Sequence, residues 1–105
     1  MIELDKDTFE TEVLNAEGKV VVDFYGDGCA PCAALMPHVH QLAEKYGDTL
    51  KFCALNTSKA RRLAIKEKVL GLPVIAVYEN GQMIDSRVKE DATPENVEQM
   101  IKQHM

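Results

Sequence analysis

Apolar residues change their spacing several times along this chain, and each change marks an element. Ile2-Glu3-Leu4 alternates in the manner of a short strand. Phe9, Val13 and Leu14 then recur at helical spacing, and Asp7 with Glu10 three residues later has the signature of a capped helix start. After a turn at Gly18-Lys19 comes Val20-Val21-Val22-Asp23-Phe24-Tyr25. Its β-branched and aromatic residues predict a buried central strand, interrupted by one acid. Leu35, Val39, Leu42, Ala43 and Tyr46 trace one face of a helix from about Pro31 to Tyr46. Pro37 inside that pattern predicts a kink, because it removes a ladder donor and crowds the turn before it. Gly47-Asp48 ends the helix.

Leu50 to Leu55 predicts the next strand, and Thr57 or Ser58 is placed to cap a third helix running to Lys68, with Gly71 at its exit. Pro73 opens the strand Val74 to Tyr78. Glu79-Asn80-Gly81-Gln82 predicts a hairpin turn, since Asn-Gly tolerates the positive φ such turns need. Met83 to Val88 is the returning strand. Thr93 caps the last helix with Pro94 at its first position, and Val97, Met100 and Ile101 form its packing face. The order βαβαβαββα predicts an α/β fold: a central mixed sheet with helices on both faces and a hairpin at one edge. Residues 1–105 read as a single domain without repeat, linker or low-complexity tract.

Composition narrows the function. At 46% apolar residues the chain can bury a core without disulfide staples. Three cysteines are too few for a secreted framework, so a reducing cytoplasm is the expected location. The first residues show no basic stretch followed by an apolar one, so no signal peptide is evident, and no apolar run is long enough to span a membrane. A net charge of −5 weighs against general nucleic-acid binding.

The chemistry concentrates in Cys29-Ala30-Pro31-Cys32, at the junction of the central strand and the second helix. Thiols at a helix start face unpaired N–H groups and the positive end of the dipole, which favours thiolate over thiol. The thiolate is the nucleophile of disulfide exchange, and the spacing lets the second sulfur close a small ring on the first. Cys29, nearer the helix end, is the expected attacking thiol, with a pKa lowered from about 8.5 toward about 7. Cys32, one turn in, is the expected resolving thiol. Pro31 stiffens the link between them. A buried structural pair, or half of a metal site, is the competing reading of the same motif.

Val-Asp-Phe-Tyr (22–25), Cys-Ala-Pro-Cys (29–32), Met-Pro (36–37), Gly-Leu-Pro (71–73) and Glu-Asn-Gly (79–81) together, in this order, closely resemble the thioredoxin family over nearly the whole chain. The resemblance implies the thioredoxin fold, with Cys29 and Cys32 as the redox pair. Asp23 is then the buried carboxylate behind them, and Pro73 a cis-proline facing them. It implies a protein-disulfide reductase and electron carrier with no bound cofactor, working as a monomer and recharged by a flavoprotein thioredoxin reductase. Its partners would be target protein disulfides. Asp23 would take the proton of Cys32 during resolution, its pKa raised by burial; the alternative is a solvated acid at an edge. Leu72 and Pro73 would dock an extended target segment by strand addition, with Gly28 and Pro31 completing the docking surface, although a proline at a strand start is also a common boundary device.

Several positions depart from the family's usual pattern. Gly28 stands where a tryptophan precedes the first cysteine, Ala30 replaces a glycine, and Tyr25 replaces a second tryptophan. Gly28 is expected to shrink the apolar docking patch and, with Gly26, to loosen the approach loop. Asp27 between them is expected to stay solvated. Ala54 stands where a lysine pairs with the buried acid, which predicts a more strongly raised Asp23 pKa. Lys89 replaces a glycine of the docking surface. The Gly-Cys-x-Pro-Cys form resembles thioredoxins of amino-acid-fermenting anaerobic bacteria, which implies glycine-reductase-type or peroxide-reducing systems among the targets.

The remaining chemistry-bearing residues read more plainly. Cys53, mid-strand, behaves as a small hydrophobe. His38 and His40 lie roughly 9 and 12 Å along the helix from Cys32, too far to share one ion. Lys59-Ala60-Arg61-Arg62 is a solvated helix face, or a contact for an acidic patch on a redox partner. Two other functions compete with the redox carrier: a thioredoxin-fold binding or scaffold module, and a metal or metalloid binder using Cys29, Cys32 and Cys53.

Overall fold

Five strands form one mixed sheet in the order β1-β3-β2-β4-β5: β1 (Ile2–Leu4), β2 (Lys19–Tyr25), β3 (Lys51–Asn56), β4 (Val74–Glu79) and β5 (Gln82–Val88). The computed structural model describes all of residues 1–105. β1 and β2 both run parallel to β3, whereas β2–β4 and β4–β5 are antiparallel. The helices are α1 (Ala30–Tyr46), α2 (Arg61–Lys66) and α3 (Pro94–Gln103). None is long and apolar enough to cross a membrane. This is the expected α/β architecture, with β2 buried at its centre.

Strand alternation divides the core in two. Val20, Val22 and Phe24 pack on one face with Phe9, Val13, Ala64 and Tyr78. Val21 points to the other, with Leu35, Val39, Leu42 and Tyr46 of α1 and Val97, Met100 and Ile101 of α3. Phe9 meets Tyr78 edge to face at 5.8 Å, which seats the segment before β2 on the sheet. α1 runs unbroken through Pro37.

Three local expectations change. The first helix is a single π-helical turn, Glu10–Leu14. Its approach is capped by Asp5 rather than Asp7: Asp5 Oδ1 accepts from the Asp7 and Thr8 amides, and Thr8 Oγ1 accepts from the Asp5 amide. That reciprocal pair starts the winding two residues early, so Glu10 has no cap to complete. After β3, the Asn56 side chain accepts from the Ser58 amide and caps a 3₁₀ turn, Thr57–Lys59, so neither Thr57 nor Ser58 is the cap. α2 then stops at Lys66 rather than Lys68, and Lys68 itself takes the left-handed conformation (φ 62°) at the exit expected at Gly71. The hairpin is as expected, with Asn80 and Gly81 at φ 54° and 78°. Thr93 Oγ1 caps α3 by accepting from the Asn96 amide.

Candidate active site

β2 delivers the site. It ends at Tyr25, the chain passes through Gly26-Asp27-Gly28, and Cys29 becomes the N-cap of α1. Cys29 and Cys32 are joined in a disulfide, with Cα atoms 5.3 Å apart. The Cys32 amide donates to Cys29 Sγ at 3.2 Å, so one of the orphan donors of the helix start points at this sulfur. Cys29 is half-buried and Cys32 is 3% exposed. The pair is therefore asymmetric, with one sulfur reachable and the other shielded, as expected from their places on the helix.

Asp23 is fully enclosed, at 1% exposure, which removes the solvated alternative. Alternation places it on the face of Val21, toward α1. Cys32 begins the helical stripe Cys32-Leu35-Val39 that packs on that face. Asp23 Oδ2 has no hydrogen-bond partner. Its strand neighbours in register are Ala54 and Ile75, neither of which supplies a charge. Burial, with a smaller contribution from the negative charge of Glu3, raises its pKa from 3.8 to about 7. Such a group exchanges protons near neutrality.

The approach loop is tied down, contrary to the looseness its glycines suggested. Thr57 Oγ1 donates to the Tyr25 carbonyl at 2.9 Å, and Ser58 Oγ accepts from the Asp27 amide at 2.9 Å. Asn56 Nδ2 donates to Asp27 Oδ1 at 3.0 Å, so this exposed acid is held as well. The run Asn56-Thr57-Ser58 is the signal for these ties, since short polar side chains at a strand end commonly bond nearby backbone. Gly28 has φ +71° and open space where a Cβ would stand.

A cleft of about 750 Å³ opens beside the disulfide, lined by Tyr25, Gly28, Cys29, Met36, Pro37 and His40 among others. Of the expected docking residues only Gly28 lines it. Pro31 is exposed on the first turn of α1. Leu72 and Pro73 lie elsewhere, joined by a cis peptide bond. A Cβ on Gly26 would meet Leu72 Cδ1 at 2.8 Å and Ser58 Oγ at 3.3 Å, which places Leu72 against the approach loop. Pro73 is buried, and neither backbone group of Leu72 has a partner in the chain.

Cys53 is on the other side of the sheet. It is 1% exposed among Val22, Leu55 and Phe9, and burial pushes its thiol to about 11. The three thiols do not converge, which disfavours a metal site built from them.

Residues 1–103 match the thioredoxin family. The chain belongs to the thioredoxin family. A thioredoxin of Acetoanaerobium sticklandii is 60% identical over 105 residues, covering all of both chains. One of Peptoclostridium acidaminophilum is 53% identical over 105 residues, all of this chain and 96% of that one. Thioredoxin Asp f 28 of Aspergillus fumigatus is 35% identical over 91 residues, 87% of this chain and 82% of that one. The first two bear out the narrower resemblance to thioredoxins of amino-acid-fermenting anaerobes. The chain is thus a thioredoxin-type protein-disulfide oxidoreductase whose redox centre is Cys29–Cys32. Thioredoxins generally work with a thioredoxin reductase and with target disulfides.

Proposed function

We propose that Cys29 is the nucleophile, Cys32 the resolving thiol and Asp23 the proton acceptor of a cycle that reduces target protein disulfides. The Cys29 thiolate attacks a target disulfide, forms a mixed disulfide and expels one target thiolate. Cys32 passes its proton toward Asp23 and attacks Cys29 Sγ. The second target thiol leaves, and the Cys29–Cys32 disulfide closes. Two electrons pass to the target, and the dithiol itself carries them, so no bound cofactor is needed. An extended target segment pairs with the free backbone of Leu72 beside Pro73. Gly28 and Pro31 border the reacting sulfur.

A flavoprotein thioredoxin reductase restores the dithiol. Targets in glycine-reductase-type or peroxide-reducing systems fit the relatives at 53–60% identity. The setting is cytoplasmic and the working form a monomer. The observation that supports this reading most is the asymmetry of the pair: Cys29 caps the helix half-exposed while Cys32 is shielded.

A Cys32→Ser variant tests it. The mixed disulfide then cannot resolve, and target proteins should accumulate covalently on Cys29, released by dithiothreitol. No capture through Cys29 would overturn the assignment. Equilibration with glutathione should place the couple near about −270 mV, as for a reductant, rather than near about −120 mV.

A further inference from the structure

Positive charge is unevenly placed in this acidic chain. Residues 59–68 contain Lys59, Arg61, Arg62, Lys66 and Lys68 against a single acid, Glu67, although the net charge is −5. All five cations are exposed. The ion pairs of the molecule use Lys45, Lys51, Arg87 and His104, so none of the five has an acidic partner. Glu67 accepts a hydrogen bond from Tyr78.

This segment adjoins the proposed docking backbone. A groove of about 300 Å³ is lined by Ser58, Arg61, Ile65, Val69 and Leu70 among others. Leu70 is 81% exposed and Ile65 65%. Ser58 at the groove's end also abuts Gly26, the residue against which Leu72 packs.

Lys89 bounds the other side. It is held in the left-handed region (φ 55°), which L side chains enter at a cost. Its amide donates to the Pro73 carbonyl at 2.8 Å. Its side chain lies over Gly71, where any Cβ would collide with Lys89 Cε. A cation thus stands next to Leu72-Pro73 on a backbone tied to Pro73, and it has no acidic partner either.

We propose that this face docks target segments carrying acidic residues beside their disulfide, with Lys89 and Arg61 flanking the Leu72–Pro73 backbone as the selecting charges. The proposal rests on Leu72 being the docking backbone. The acidic remainder of the chain repels such a segment, so the basic strip also sets the orientation of approach. Charges of this kind act through encounter rate and are sensitive to salt.

The test uses two synthetic disulfide peptides that differ only in Glu or Gln on either side of the cystine. At an ionic strength of about 10 mM the reduced protein should reduce the Glu peptide about tenfold faster, and the advantage should fade at about 0.5 M. Lys89→Asn, which keeps a residue tolerant of the left-handed backbone, and Arg61→Gln should each lower the ratio about threefold. Lys102→Gln, on α3, should leave it in place. Equal rates on both peptides, or a ratio that survives both variants or falls equally with Lys102→Gln, overturns the selectivity and leaves disulfide reduction standing. Failure to reduce either peptide overturns the reductase reading and the docking face with it.

Discussion

Tyr25 donates its phenolic hydrogen to Glu3 Oε2 at 2.6 Å, bridging over β3 from one side of it to the other. In register, Glu3 pairs with Ala54 and Ala54 with Asp23, so two acids flank one alanine in a single row of the sheet. The resemblance places a lysine at position 54. Here neither strand neighbour of Asp23 is a cation, Ile75 separating it from Arg87 in the same row, and the hydrogen bond from Tyr25 fixes a second carboxylate beyond Ala54. Glu3→Gln removes that charge without changing shape. The Asp23 pKa should then move down from about 7, with most of the elevation remaining because burial is the larger cause. Carboxyl titration followed by NMR measures it. An unchanged Asp23 titration in Glu3→Gln shows that Glu3 does not reach it.

Asp23 also makes stability depend on pH. Its pKa is about 7 folded and near the ordinary 3.8 unfolded, so the native state holds the extra proton between those values. Stability is then fully present below about pH 4 and declines as pH rises toward 7, by on the order of 4 kcal/mol for this group. Asp23→Asn lacks the slope. In the oxidised protein its advantage over wild type should grow from about pH 4 to about pH 8 by that order of magnitude. Urea denaturation across the range decides it, and a constant gap between the two proteins would contradict a buried, titrating acid.

The sheet, its β4–β5 hairpin and the start of α3 are legible because their signals are local and redundant. β2 carries five strand-forming residues around one acid, Asn80-Gly81 fixes its own turn, and Thr93-Pro94 fixes its own cap. The cysteine pair was legible for the same reason, as spacing alone puts it at a helix start. The sequence is ambiguous where two local signals compete. Asp5 and Asp7 are both fit to cap, and Thr8 decides for Asp5 by bonding back to its amide. Lys68 rather than Gly71 turns left-handed, because α2 already ends at Lys66, well before the glycine. Glu3 was unreadable as a neighbour of Asp23, since only the strand order brings β1 and β2 to either side of β3.

Gly28 is held at φ +71°, yet nothing stands within 4 Å of where its Cβ would be. Restoring the family's tryptophan therefore meets backbone strain rather than a clash. Gly28→Trp should cost about 1 kcal/mol of stability, the usual penalty of a left-handed L-residue. The new side chain, the only tryptophan of the chain, would lie along the cleft beside Cys29 and report the redox state by fluorescence. Chemical denaturation with an unchanged m-value checks the cost. Equal or higher stability of the variant would show that the loop gives up its left-handed turn freely.

At the far end of the molecule Asp85 gathers the C-terminus. His104 Nε2 lies 2.8 Å from Asp85 Oδ2, Arg87 donates to Oδ1 at 2.8 Å, and Lys19 donates to the His104 carbonyl at 3.0 Å. Desolvation pushes the Asp85 carboxyl up, but hydrogen bonds from His104, Arg87 and the Ser86 amide outweigh it and hold the pKa below the ordinary 3.8. A depressed carboxylate contributes stability that is present above its unfolded value and lost as pH falls through the folded one. The end of α3 should therefore loosen only in strong acid. Asp85→Asn removes the acceptor charge at every pH, so hydrogen exchange at the His104 and Met105 amides should quicken at neutral pH to the rate wild type reaches only when acidified, after correction for intrinsic exchange. Both amides bond back to the last turn of α3, so they report that turn directly. Equal neutral-pH protection in the two proteins would mean that the packing of Val97, Met100 and Ile101 holds the helix end without the Asp85 cluster.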